Sequence, residues 1–288
     1  MSTLRKIDST TVNDMLTQHA QWLRREDHLE MAQALGIPTG EQAGASTEAP
    51  TLFSGGAIED LGELPEGQPA DFSNFDLRGI DFSNRDLREA VFTGADVSGA
   101  NFRYARLERA VFFFTEALGT DFTGAQLEKG YLANADLRDA NLSGAVLQWA
   151  NLTRSNIENA SFRQAVLISA DLTKCKGQGA KFPLVKMNHA VVEDAKLDGA
   201  LFDDAHLCYV NFHRTSLRGA TFRYSDLLHA DFHNANIEKS NFEFAKMEDA
   251  ILLTAFRTGA VFTDTDLKKV IGPKIEAPSR HKLQLASL

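Results

Sequence analysis

From Ala70 to Leu267 the chain repeats every five residues without losing phase. Steps of five from Phe72 give 40 positions, and 37 of them are Leu, Phe, Ile, Val or Met. The residue two places earlier is Ala at 26 and Ser, Thr, Cys or Gly at nine more. A five-residue period fits neither a 3.6-residue helix nor a two-residue strand, so the segment reads as a stacked array. Each unit turns one large and one small apolar side chain inward and leaves three positions free to be polar, as in Ala135-Asp136-Leu137-Arg138-Asp139. Such a chain turns the same corner repeatedly and coils around an apolar axis.

A twenty-residue period lies inside the five. Sorting the central residues into four columns places all 14 central Phe residues in the columns that begin at Phe72 and Phe82. The columns that begin at Leu77 and Leu87 are mostly aliphatic. Four units per coil, with like side chains stacked on like, is the simplest cause. The four columns are the Phe72, Leu77, Phe82 and Leu87 sides of a solenoid.

Units of the form Ala-Asp/Asn-Leu/Phe-polar-polar, forty in phase, resemble the pentapeptide repeat family. The resemblance implies an all-β solenoid, a right-handed quadrilateral parallel β-helix of about ten coils. With strands ~4.8 Å apart, the rod would be ~48 Å long. Stacked repeats of this kind also need capped ends.

The chain divides by composition into residues 1–36, 37–69, 70–267 and 268–288. In the first segment Thr10 or Thr11 can cap a helix. Val12, Met15, Leu16, His19, Trp22 and Leu23 then fall at helical spacing, and Gly36 and Pro38 end it. This short α-helical segment reads as an amphipathic cap, with a partner-binding helix as the alternative, and His19-x-x-Trp22-Leu23 resembles the heads that precede some bacterial pentapeptide arrays. Residues 37–69, rich in Gly, Ala, Glu and Pro, read as a linker. Residues 268–288, basic and broken by Pro273 and Pro278, read as a partial cap with a mobile end, its short apolar content carrying a weak dimerisation signal.

The net charge of −9 is unevenly spread: 11 acids and 4 bases lie in residues 1–69, 27 and 21 in the array, and one and five in the tail. No basic stripe marks direct nucleic-acid binding. No run of about eighteen apolar residues suggests a membrane span and no signal peptide is evident, so cytoplasmic residence is expected. Cys175 falls in a small inward slot and Cys208 in an outward one, on different sides, so two free thiols are expected.

Function must then come from outward residues and from faults in the repeat. The three faulted centres, Ala117, Gly177 and Arg257, share the Leu77 side; that side either tolerates poor filling or bulges so that Leu118 replaces Ala117, and the functional alternative is a bent or loosened side for a partner. On the Leu87 side, the position two after each centre includes Trp149, His189, Tyr209 and His229. Neighbouring outward positions add Val146, Val166, Ile168, His206, Cys208 and Leu228. Exposed apolar and aromatic residues of this sort mark contact surfaces. With Phe113 and Phe114 they form the candidate surface for a protein partner or for self-association.

His213 and His233, one coil apart, lack the further ligands a metal would need and read as a solvated ladder. No cofactor is expected, and no grouping of nucleophile, base and pocket suggests catalysis. Glu193, Asp194, Asp198, Asp203 and Asp204 form an acidic cluster. Some members of the family protect DNA gyrase and topoisomerase IV by resembling DNA, so the resemblance makes a topoisomerase the alternative partner. The uninserted array and basic tail depart from those members.

Overall fold

The structure, a computed structural model, describes residues 4–8, 10–20, 22 and 69–275. The linker reading for 37–68 and the tail beyond residue 275 lie outside the described residues. The described residues fall into two compact units, one holding residues 4–7 and 71–275, the other residues 8, 10–20, 22, 69 and 70.

In the first unit every described side of every coil pairs with the residue twenty positions on, in parallel, from Asp71↔Val91 to Ile251↔Ile271. The pairing residue is the one before each centre. Its N–H bonds to the coil below, as Asn101 N to Ile80 O at 2.9 Å, and its carbonyl accepts from the centre below, as Phe82 N to Asn101 O at 2.7 Å. Each side is thus a single bridge position between turns. A short strand β1, Arg5–Lys6, extends one ladder by pairing in parallel with β2, Phe75–Asp76, in register Arg5↔Phe75 and Lys6↔Asp76.

The corner is a four-residue turn closed by the centre's carbonyl, as Ala95 N to Phe92 O at 3.0 Å. Its third residue, the last of each five, has positive φ at all forty corners, ten of them Gly and thirty not. Positive φ at that position defines a type II turn. Asp or Asn at the bridge position accepts the N–H two residues on, as Asp71 Oδ1 from Ser73 N at 2.9 Å and Asn151 Oδ1 from Thr153 N at 3.0 Å. This Asx hydrogen bond satisfies the turn and explains the Asp/Asn preference.

On two of the four sides the core carries runs of stacked Phe rings, broken in places by Leu or Val. On the Phe82 side, Phe162, Phe182, Phe202 and Phe222 stack at 4.7 to 4.9 Å with interplanar angles from 2° to 11°. The two Phe columns meet edge to face, as Phe212 and Phe222 at 5.9 Å and 83°. Both geometries are favoured by the ring quadrupole, at about 0.5–1.5 kcal/mol per pair beyond burial. Where Thr or Ser replaces the inward Ala, the hydroxyl donates to a nearby carbonyl, as Thr115 to Phe92 O at 2.8 Å and Ser155 to Leu152 O at 2.7 Å. A buried hydroxyl without that bond would cost about 1–3 kcal/mol.

The faulted centres do not bulge. Ala117 is buried and Leu118 is 44% exposed, while the ladder Asp96↔Glu116↔Asp136 runs on unbroken, so a substitution of Leu118 for Ala117 is corrected. At Gly177 an added Cβ would lie 2.7 Å from Leu197 Cδ2 and 2.8 Å from Ile157 Cγ1. The neighbouring coils close over the gap. Arg257, in the final turns, sends its guanidinium to the Pro273 carbonyl at 3.0 Å.

In the second unit, residues 10–20 form helix α1. Its N-cap is Asp8, not Thr10 or Thr11: Asp8 Oδ1 accepts the Thr11 N–H at 2.8 Å, and Asp8 O accepts from Val12 N at 3.1 Å. A carboxylate three residues ahead reaches the orphan N–H and favours the positive end of the helix. Val12, Met15, Leu16 and Trp22 are buried. His19 is fully buried, stacks on Trp22 at 5.5 Å and accepts the Ala70 N–H at Nδ1, 3.0 Å. The His-x-x-Trp spacing thereby ties the helix to the residue where the repeat begins.

Candidate functional site

The edge that follows the Leu87 side is a column of third turn residues, which the bridge register stacks one coil above another. Its ends are ionic: Arg109 meets Glu89 at 3.2 Å, and Lys269 meets Asp249 at 3.9 Å. Its middle is aromatic. Lys129 lies over the Trp149 ring at 5.6 Å. His189, Tyr209 and His229 form a continuous stack, with centroids 5.0 and 4.6 Å apart and interplanar angles of 9° and 24°.

Trp149 is 54% and Tyr209 49% exposed. All four aromatic residues of the edge have φ between 57° and 62°, a region natural to glycine that costs other residues on the order of 1 kcal/mol. The adjoining side contributes half-buried Ile168 and Leu228 and exposed His206. Of the residues singled out by sequence, Trp149, Ile168, His189, His206, Tyr209, Leu228 and His229 therefore share one side and its edge.

Phe113 and Phe114 lie on the Phe72 side instead. Phe114 is 66% exposed, and Phe113 packs on Tyr131 at 5.9 Å. Tyr131 is itself 44% exposed and stands two residues beyond Lys129 of the edge. The sequence reading missed Tyr131; its signal was an aromatic residue in a slot that usually holds Asp or Asn. A further aromatic column was also missed on the edge after the Phe82 side. There Arg223 covers Tyr224 at 5.6 Å, and Tyr224 stacks on Phe244 at 4.8 Å.

The acidic residues are mostly committed to the fold. Arg214 joins Glu193 and Asp194, reaching Asp194 Oδ1 at 2.7 Å, and this contact holds the Asp194 carboxyl below its usual range. Asp198 Oδ1 accepts the Arg218 N–H at 2.9 Å and the Ser216 hydroxyl at 2.6 Å. Asp203 Oδ1 accepts the Arg223 N–H at 3.0 Å. In both cases the coil above has Ser or Thr where Asp or Asn would stand, and an Asp from the coil below fills the missing acceptor. Asn188 does the same for the Cys208 N–H at 3.1 Å. Asp204 is exposed on an edge.

His213 and His233 lie 5.2 Å apart by ring centroid, with His213 Nδ1 3.4 Å from Glu193 and 3.2 Å from Arg214. Among the described residues no group of three or more His, Cys, Asp or Glu side chains could hold a metal ion. Cys175 and Cys208 are both free. Burial pushes their thiols up to about 12 and about 11. Among the described residues no helix is long and apolar enough to cross a membrane.

Against known proteins, the profile of pentapeptide repeats matches eight copies, over residues 70–182 and 186–252. A sequence comparison with curated proteins gives no match. Among solved structures the chain is similar to HetL, a pentapeptide repeat protein involved in heterocyst differentiation regulation from the cyanobacterium Nostoc sp. strain PCC 7120. Identity is 24%, coverage 72% of this chain and 91% of that one, and the TM-score 0.59. QnrB1, a plasmid-mediated fluoroquinolone resistance protein, aligns at 16% identity over 68% of this chain and 93% of its own, with a TM-score of 0.44. With forty in-phase units folded as bridged four-sided coils, the chain belongs to the pentapeptide repeat family, and its solenoid is that family's right-handed β-helix.

Proposed function

We propose that this protein is a non-enzymatic, cytoplasmic binding protein that docks a protein partner on the edge from Lys129 to His229. One observation carries the reading: Trp149 and Tyr209 stand half exposed in backbone slots where glycine would fit with less strain. Rigid aromatic anchors held in a fixed stack lose little side-chain freedom on binding, and such residues dominate interface energetics. Tyr131 and Phe113 extend the surface around the adjoining side.

DNA mimicry, with a topoisomerase as partner, is the weaker reading. Glu193, Asp194, Asp198 and Asp203 already serve Arg214 or turn N–H groups, so their charge is partly answered within the fold.

The test is capture from native lysate with the full chain as bait, comparing wild type with the Trp149→Asp, Tyr209→Asp double variant and with an Asp204→Asn control. Partners retained by the control and reduced at least tenfold by the aromatic variant are expected, since losing a hot spot costs about 2 kcal/mol or more. Identical capture by all three proteins would contradict the proposal.

A further inference from the structure

One ladder differs from the rest in how its charges are arranged. On the Leu77 side, bridge positions run Lys6, Asp76, Asp96, Glu116, Asp136, Asn156, Lys176, Lys196, Ser216, Asn236 and Phe256, each paired in parallel register with the next. Acids stack on acids through four rows, and Lys176 stacks directly on Lys196. Like charges directly opposite are destabilising, and alternation would remove the cost. Among the described residues, Lys176, Lys196 and Glu116 are exposed and form no ion pair, whereas Asp76 and Asp96 share Arg78 and Asp136 pairs with Arg138.

The sequence of rows is complementary to its own reverse. Reversed about Asn156, it sets Lys176 against Asp136 and Lys196 against Glu116. It also sets Asn236 against Asp76 and the 63% exposed Phe256 against Lys6. The last contact has cation–π chemistry. A two-fold axis lying across the side at Asn156 generates this register between two copies, each residue meeting its counterpart twice, as a closed isologous contact requires. In the neighbouring row the same operation brings Arg78 to Glu238 and Arg218 to Ser98. Glu158 meets its own copy there, and each Glu158 lies within Coulombic reach of its Arg138.

The bounding edge favours close approach. Gly99, Gly119, Gly199 and Gly219 occupy it, and an added Cβ at each would meet nothing within 4 Å. We propose that the Leu77 side is a self-association surface on which a second copy of this chain docks antiparallel, centred on Asn156. The strip is narrow and ionic, so the dimer is weak and salt-sensitive. It uses a different side from the aromatic edge, which stays free for the partner.

Three variants of the full chain test the register, each checked for native circular dichroism and followed by sedimentation equilibrium at low salt. The variant Lys176→Glu, Lys196→Glu and the variant Glu116→Lys, Asp136→Lys should each be monomeric at concentrations where wild type dimerises. An equimolar mixture of the two should form a one-to-one dimer, because each then faces its opposite. The variant Asn156→Cys should cross-link to itself on oxidation, while Asn236→Cys should not. A monomeric wild type at every concentration, dimers that persist in both charge variants, or cross-linking at position 236 but not 156 would overturn the proposal. If a charge variant loses its fold, the cysteine pair still decides the register.

Discussion

The residue that does most to shape this surface is the last of each five, held at φ from 52° at Lys269 to 73° at Gly259. Side chains there point away from the core and stack on the same slot of the next coil, so this slot can change without repacking the interior. Replacing Trp149 by Gly relieves about 1 kcal/mol of backbone strain. It also adds about 0.4–1 kcal/mol of freedom to the unfolded chain and loses the Lys129 contact, about 0.5–1 kcal/mol. Thermal unfolding should therefore show Trp149→Gly within about 1 kcal/mol of wild type while partner capture falls; a loss above about 2 kcal/mol would make Trp149 a structural residue. The thiols give a second residue-scale test. Burial raises both, Cys175 to about 12 and Cys208 to about 11, so the reactive thiolate is scarce near neutral pH. Alkylation at pH 8 should be slow for both in the native protein and fast in denaturant; rapid native labelling of Cys208 would show that its side opens.

At the scale of the five-residue element, the centres that break the rule test whether the repeat or its neighbours set the packing. Gly177→Leu restores the consensus, yet its first carbon would meet Ile157 and Leu197 below 3 Å. Overpacking of that kind costs about 1–3 kcal/mol, so the variant should unfold at lower denaturant than wild type. An increase in stability would mean that the site holds an unfilled void. The four sides, the Phe columns and the inward Cys175 were legible in the sequence because each depends on phase alone. The acceptor for a given turn N–H was not. Asp198 and Asp203 resemble spare surface acids until the coil above is seen to lack its own Asx residue, and that dependence spans twenty residues and two different slots of the unit. The Asp8 cap was missed for a similar reason, since Thr10 and Thr11 are also good capping residues and only the geometry chooses.

For the molecule as a whole, carboxylates anchored by arginines and turn N–H groups couple stability to acid. Arg78 holds the Asp76 carboxyl down to about 2, and Arg138 and Arg214 lower Asp136 and Asp194. A folded-state value below the unfolded one contributes stability that is present above about pH 4 and lost as pH falls toward 2. Urea midpoints should fall across that window, and Asp76→Asn should flatten the fall; a midpoint independent of pH between 4 and 2 would contradict this. The binding surface was only partly legible at this scale: columns predicted which side Trp149 and Tyr209 share, but not the continuous His189, Tyr209, His229 stack or the contribution of Tyr131. The most direct test of the binding edge places the photoreactive p-benzoylphenylalanine at position 149, at position 209, and at Asp204, an exposed edge residue after the Phe82 side, and irradiates cells producing each protein. Adducts with a common partner at 149 and 209 but not at 204 are predicted; adducts at 204 alone, or the same adducts at all three, would contradict the assignment.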